Sequence, residues 1–430
     1  MGAHRELLER HRAVLPSWLA LYYDEPIALV RGEGRRVWDA EGRAYLDLFG
    51  GILTTMTAHA LPEVVEAVQA QAERIMHTST LYLIEQQIEL AEEIARMAPI
   101  PDAKVFFTTS GTEANEAAML LACTARRSSQ VLAIRNSYHG RSFATMAVTG
   151  NRGWSASALS PVDVKYVHGG YRLRSPFRDL DDDAYIAACA DDLRDVIATQ
   201  TAGDVACLIA EPIQGVGGFA VPPDGLFGAL REVCDEHGIL FVADEVQTGW
   251  GRTGEHTWGI DAHDVVPDAM TFAKGLGNGL TLAGVVASAE VMDGLTANSI
   301  STFGGNPLSA AGTLANLRYL QEHDLQANAA MVGGRLLDGL RAHTVELPGV
   351  AEVRGKGLMA GVELVRPGGI EPDAAAAGAV LEAARRRGVL IGKGGLYGNV
   401  LRIAPPMTIT AAEADEGLAA VTASLTEVCG

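Results

Sequence analysis

One lysine in this chain closes a short apolar run and opens a glycine-rich stretch, Thr271-Phe272-Ala273-Lys274-Gly275-Leu276-Gly277-Asn278-Gly279. Lysines are rarely buried without reason. An amine in an apolar, partly desolvated place has a lowered pKa and can act as a nucleophile; by itself the segment also fits a solvated strand end. Asp244-Glu245-Val246-Gln247-Thr248-Gly249 follows directly on the apolar run Ile239–Ala243. An acid at such a strand end is partly buried and needs a cationic or hydrogen-bonding partner. Taken alone, Asp244 suits a metal or a structural arginine equally well. A third segment takes Val105-Phe106-Phe107-Thr108 through the small-residue turn Ser110-Gly111-Thr112 into a helix continued by Ala114, Ala117, Ala118 and Leu121. Ser110 and Glu113 have capping-box spacing. Gly111 lets backbone N–H groups approach a ligand where the helix start adds positive potential. The turn therefore suits a phosphate, or equally a plain helix cap.

Taken together, a phosphate cradle, a strand-end acid and a nucleophilic lysine are what pyridoxal phosphate requires: a Schiff-base lysine, an acid on its ring nitrogen and an anion site. The elements that must position them can be read from the pattern. From about Lys104, short apolar runs (Val105–Thr108, Val131–Ile134, Val205–Ala210, Ile239–Ala243, Met270–Ala273, Gly284–Ser288) are separated by helix-sized gaps. Such runs predict a mainly parallel sheet covered on both faces, with its active site beyond the C-terminal strand ends. Before it, Ala28–Asp47 reads as short antiparallel strands. Pro62 opens a helix with Val65, Val68 and Ala72 on one face, and a second helix over Ile84–Met97 carries a stripe of Ile84, Ile88, Ala91 and Ala95. In the last third, Glu352–Leu364 and Val389–Ala404 read as strands among helices, and the acidic cluster Asp179, Asp181, Asp182 and Asp183 as a helix start.

On its motifs the chain resembles the class III aminotransferases among the fold-type I pyridoxal-phosphate enzymes. The matching segments begin at Ser110 (SGTEANEAA), Tyr138 (YHGRS), Ala210 (AEPIQG), Ala243 (ADEVQTGWGRTG), Thr271 (TFAKGLGNG), Ser301 (STFGGNP) and Arg354 (RGKGLMAGVEL). The resemblance implies that Lys274 binds the cofactor and moves the proton between substrate carbon and cofactor. By the same resemblance Asp244 pairs with the ring nitrogen and Gln247 contacts the ring hydroxyl. Tyr138 stacks on the ring with His139 beside it, and Glu211 lies nearby. Ser110, Gly111 and Thr112 hold the phosphate, which Thr302 of a neighbouring subunit completes; that implies at least a homodimer with shared sites. The implied fold is a large α/β cofactor domain over residues 62–315 and a smaller α+β domain built from residues 1–61 and 316–430.

Within that family the stretch from Gly392 looks most like the branch around alanine–glyoxylate aminotransferase 2 and the ω-amino-acid transaminases. Arg402 falls where that branch has its carboxylate-binding arginine, a role suited to a bidentate guanidinium. Three positions depart from relatives. Val216 stands where ornithine- and 4-aminobutyrate-type members have a glutamate over that arginine. Ala58-His59-Ala60-Leu61-Pro62 replaces Gly-His-x-His-Pro at the pocket wall. Arg141 follows Tyr138-His139-Gly140, as in members that bind the distal carboxylate of a dicarboxylate. The expected reaction moves an amino group from an amino acid or ω-amine to pyruvate, glyoxylate or 2-oxoglutarate; racemase, mutase, decarboxylase or phospho-lyase chemistry on the same cofactor is the alternative. A cofactor-binding protein without turnover is disfavoured by the intact set of Lys274, Asp244 and Arg402.

Composition bounds the rest. The 430 residues carry 34 Lys plus Arg against 53 Asp plus Glu, a net charge of −19, which argues against nucleic acid or an anionic membrane as a main partner. Hydrophobic residues at 48% allow a sizeable core. Five scattered cysteines and eleven histidines offer no metal-ligand spacing, so no metal is expected. An odd, low cysteine count and a charged, helix-like N-terminus point to the cytoplasm. The uncharged stretch Gly294–Leu317, rich in Asn, Gly and Ser, reads as a loop entering a helix.

Overall fold

The computed structural model describes residues 3–155 and 159–430. Leu29–Glu33 (β1), Arg36–Asp39 (β2) and Ala44–Asp47 (β3) form the antiparallel meander that the turn residues predict. The central sheet is built from Ala103–Thr108 (β4), Gln130–Ile134 (β5), Asp163–Val167 (β6), Cys207–Ala210 (β7), Leu240–Asp244 (β8), Ala269–Phe272 (β9) and Ala283–Ser288 (β10). Their order is β4-β10-β9-β8-β7-β5-β6. Within it β10 alone runs antiparallel to its neighbours, so the sheet is mainly parallel.

Side chains on these strands alternate between two apolar layers, as a sheet covered on both faces requires. Val131, Ala133, Cys207, Ile209, Val242 and Val285 pack with the helix Gly111–Arg126. Leu132, Ile134, Leu208, Phe241, Met270 and Phe272 face the opposite layer, which includes the helices Asp182–Gln200 and Leu226–His237. Asp181 caps the first of these by accepting from Ala184 N, the role expected of the acidic cluster.

Two helices lie where expected but bury a different face. In Pro62–Arg74 the inward side carries Val64 and Gln71, with Val68 partly covered, while Val65 is exposed. The cause is Gly312 in the partner helix Pro307–Glu322. A side chain there would sit 2.8 Å from Val68 and 3.6 Å from Val64, so its absence draws those two valines inward. In Glu85–Met97 the buried pair is Leu90 and Ile94, and Ile88 faces out. Strand β6 has no counterpart among the predicted runs, because Asp163 and Lys165 interrupt its apolar positions as an edge strand permits.

Toward the C-terminus, Val350–Lys356 (β11), Met359–Leu364 (β12), Val389–Leu390 (β13), Gly392–Gly394 (β14) and Val400–Ile403 (β15) follow. Four of them form a second sheet, β11-β12-β15-β14, while β13 joins the N-terminal meander by pairing in parallel with β3, so the two chain ends share one sheet. The second sheet is anchored by Glu363, fully buried, which binds Arg354 at 2.7 Å, Arg174 at 2.8 Å and the Tyr171 hydroxyl at 2.7 Å. All five cysteines are free thiols, and burial pushes Cys189 and Cys234 up to about 12. Among the described residues no helix is long and apolar enough to cross a membrane, and no cluster of potential ligands could hold a metal.

Candidate active site

The ends of β5, β7, β8 and β9 lie side by side, and the loops leaving them enclose a cavity of about 150 Å³. Lys274 enters it two residues beyond β9. Its backbone is left-handed (φ 45°), a conformation that costs a side-chain-bearing residue ~1–2 kcal/mol. The loop is held there from outside. Asn316 donates to the carbonyls of Gly275 and Leu276, and Asn278 ties the same turn to Thr57 N and Ala58 O. Among the described residues nothing hydrogen-bonds to the Lys274 amine. Burial lowers its pKa; Asp244 and Glu211 oppose that shift and Arg402 adds to it.

Asp244 ends β8 and is 3% exposed. Its Oδ2 meets His139 Nδ1 at 2.7 Å and accepts from Asn115 Nδ2 at 2.7 Å, while Oδ1 accepts from Val246 N at 3.1 Å. Asn115 is fixed in turn by donating to His139 O and accepting from the Thr271 hydroxyl at 2.7 Å. With Nδ1 committed to Asp244, His139 Nε2 is buried without a partner. Glu211, one residue beyond β7, has no such company. Among the described residues it accepts only backbone N–H bonds, from Tyr138 and Gly215, each at 2.8 Å. Burial, with the nearby Asp244, pushes its carboxyl up to about 7 against the pull of His139 and the two amides.

On the opposite wall Ser110 caps the helix Gly111–Arg126 by accepting from Glu113 N at 3.2 Å. The reciprocal half of the predicted capping box goes elsewhere: the Glu113 carboxylate accepts from Thr109 N and its hydroxyl. The first amides of the helix, Gly111 and Thr112, have no acceptor among the described residues and lie on the cavity. Gly140 closes this corner at φ 143°; a Cβ there would meet the hydroxyls of Thr112 and Thr145 within 2.8 Å. Tyr138 is half-buried on the cavity, its ring edge-on to Trp154 at 5.5 Å. Gln247 spends its carbonyl on Arg402.

Arg402, on β15, is 2% exposed and lies between the rings of Phe219 at 4.6 Å and Phe49 at 5.1 Å. Its Nη2 donates to Gln247 Oε1 at 2.8 Å, its Nε is buried without a partner, and among the described residues it has no carboxylate in ion-pair range. Burial lowers its pKa to about 10, which Tyr22 and Glu211 partly oppose, and it stays charged at neutral pH. Val216, buried at its side, supplies no acid.

The structure thus brings Gly111, Thr112, Tyr138, His139, Glu211, Asp244, Gln247 and Lys274 to one cavity, with Arg402 adjoining through Gln247. Three residues singled out in the sequence stand apart from its walls. Ser110 acts from behind as the helix cap. Arg141 is exposed at the rim, its backbone N–H on Thr112 Oγ1 at 3.3 Å. Thr302 is exposed on a separate groove of about 510 Å³ that it shares with Phe106, Glu116 and Phe303. Nor does the segment Ala58–Pro62 wall this cavity. His59 turns to Asp47, Nε2 to Oδ2 at 2.8 Å, and lines another hollow beneath β1. Asn115, Phe49 and Phe219 were not singled out by the sequence. Asn115 leaves a trace there, as a polar residue amid the alanines of one helix face.

An unpartnered buried amine, a tightly oriented carboxylate and free helix-start amides around one cavity fit the donor set that pyridoxal phosphate needs. The family Aminotransferase class-III matches residues 21–425. The chain is 40% identical to alanine–glyoxylate aminotransferase 2 homolog 2 of Arabidopsis thaliana over 95% of this chain and 84% of that one. It is 36% identical to the 4-aminobutyrate aminotransferase of Escherichia coli over 97% of each. A solved structure, a thermostable (S)-enantioselective ω-transaminase from Thermomicrobium roseum, superposes with a TM-score of 0.92 at 33% identity over the whole of both chains. The chain belongs to the class III aminotransferases, enzymes that use pyridoxal phosphate to transfer an amino group.

Proposed function

We propose that this enzyme moves an amino group from an amino acid or ω-amine to an α-keto acid, with pyruvate, glyoxylate and 2-oxoglutarate as candidate acceptors. Bound in the cavity, pyridoxal phosphate supplies an electron sink that loosens a proton on the substrate carbon bearing nitrogen. Lys274 anchors the cofactor and, with an amine whose pKa burial lowers, takes that proton and returns it. Asp244, held by His139 and Asn115, keeps the ring nitrogen protonated. The amides of Gly111 and Thr112, with Ser110 behind them, receive the phosphate; Thr302 of a second copy completes that site in a homodimer. Tyr138 covers the ring and Gln247 reaches its hydroxyl. The same reading divides the chain into a cofactor domain, 62–315, and a smaller domain from 1–61 and 316–430.

The observation that carries this reading is Arg402: a buried guanidinium beside the cavity, flanked by aromatic rings and given no acid of its own. Such a cation is stabilised when a substrate carboxylate supplies the missing partner. Arg141 at the rim is placed to meet a second carboxylate. Because an alanine–glyoxylate and a 4-aminobutyrate aminotransferase share this core, the donor is chosen by the pocket around it. A panel of α-amino acids, ω-amino acids and simple amines against the three acceptors tests the proposal. Transfer to at least one acceptor is expected, and Arg402→Ala should weaken every α-keto acid by a similar factor. No transfer with any pair, in protein that binds the cofactor, overturns it.

A further inference from the structure

Between the N-terminal helix Ala3–Val14 and β1 the chain crosses residues 15–28 without a helix or strand. A tight turn, Leu19 N donating to Pro16 O at 3.0 Å, presents Trp18 to the outside, where 69% of it is exposed. The Arg141 guanidinium lies over its ring, 5.6 Å from the centroid. Four residues on, Tyr22 stacks on Phe49 with centroids 6.0 Å apart, and Phe49 in turn covers Arg402. The Tyr22 hydroxyl docks on β14 by donating to Lys393 O at 3.3 Å. One five-residue stretch therefore reaches both cations read above as carboxylate clamps, one directly and one through a ring.

The manner of contact at Arg141 matters. An aromatic ring covers the face of a guanidinium and leaves its edge N–H donors free, whereas an acidic neighbour would occupy those donors. Among the described residues Arg141 has no carboxylate in ion-pair range, and its side chain makes no hydrogen bond. Its backbone is tied to Thr112 at the cavity edge. Arg141 is thus held in direction while its fork stays available.

We propose that Trp18 is a positioning residue for acceptor specificity: by stacking on Arg141 it aims that guanidinium across the cavity mouth and favours acceptors bearing a second carboxylate. The inference rests on the reading of Arg141 given under Proposed function. The test compares kcat and KM for 2-oxoglutarate and pyruvate in the holoenzyme and in Trp18→Ala, Trp18→Phe, Arg141→Ala and the Trp18→Ala/Arg141→Ala pair. Trp18→Ala should lower kcat/KM for 2-oxoglutarate about two- to fivefold, through KM, as for an exposed cation–π contact. Pyruvate should be unaffected, Trp18→Phe should restore most of the loss, and in the Arg141→Ala background the Trp18 change should add nothing. Equal losses on both acceptors, no loss on 2-oxoglutarate, or additive losses in the pair would overturn it. Wild-type enzyme that transfers to no acceptor defeats the proposed function itself. Turnover of pyruvate, with 2-oxoglutarate neither reacting nor inhibiting, defeats only this inference.

Discussion

Asp244 and Glu211 sit at the ends of adjacent parallel strands, β8 and β7, and both are buried to within a few per cent. They are nevertheless two kinds of acid. Asp244 is met by an imidazole, a carboxamide and a backbone amide, and its carboxylate is aimed into the cavity. Among the described residues Glu211 receives two backbone amides and no side chain, and burial pushes its carboxyl up to about 7. Position in the sheet decides where an acid stands; the partners brought from elsewhere decide how it is oriented and how far burial is offset.

This contrast can be broken in several ways. The largest effect belongs to Lys274, whose amine feels both acids. Lys274→Ala should lower turnover by about 10³-fold or more, as for loss of a general acid–base group. Borohydride reduction of the wild-type holoenzyme followed by peptide mapping should label Lys274; a different labelled lysine would remove it from the role. Next comes Asp244→Asn, which deletes the charge at nearly constant shape. Each pKa unit lost at the paired nitrogen is worth ~1.4 kcal/mol, so two units give about 100-fold in kcat. Turnover close to wild type, with cofactor bound, would show that Asp244 is no more essential than its neighbour.

Asn115→Ala should make Asp244 more like Glu211 by stripping one of its side-chain partners. Hydrogen bonds to charged groups contribute ~1.5–3 kcal/mol, so about a tenfold fall in kcat is expected, together with lower stability because the Thr271 hydroxyl is left buried and unpaired. An unchanged kcat would mean that His139 and the Val246 amide suffice to orient the acid. The smallest effect is on stability. With its carboxyl raised from 4.5 to about 7, Glu211 binds a proton more tightly folded than unfolded. Its contribution is therefore fully present below pH 4.5, declines as pH rises toward 7 and is flat above. Glu211→Gln, which copies the neutral acid, should match wild type in Tm near pH 5 and exceed it near pH 8. A difference independent of pH would contradict the assignment.

Much of this architecture is legible in the residues. Continuous apolar runs give the strands of the central sheet and mark the end at which chemistry gathers, because parallel strands buried on both faces tolerate no polar interruption until they stop. The exception is β6, where edge placement allows charged residues within the strand. Helices Pro62–Arg74 and Glu85–Met97 were readable as helices, but which side of each is buried depended on packing, on Gly312 for the first, that no local periodicity contains. In the site, Lys274, Asp244 and the helix start after Ser110 were marked by their positions at the ends of apolar runs, whereas Glu211 came only through the family resemblance.

By itself, then, the sequence determined the reactive groups and the strand ends that carry them, since type, spacing and burial pattern are local properties. Only the tertiary structure decided their state. His139 and Asn115, separated from Asp244 by 105 and 129 residues, orient its carboxylate. Phe49, Phe219 and Gln247, drawn from distant segments, give the Arg402 guanidinium its apolar sleeve and a hydrogen-bond acceptor. Trp18, which precedes β1, reaches Arg141, which follows β5. A group's charge and aim depend on how far it is removed from water and on which dipoles and rings surround it, and those neighbours come together only when the chain is folded.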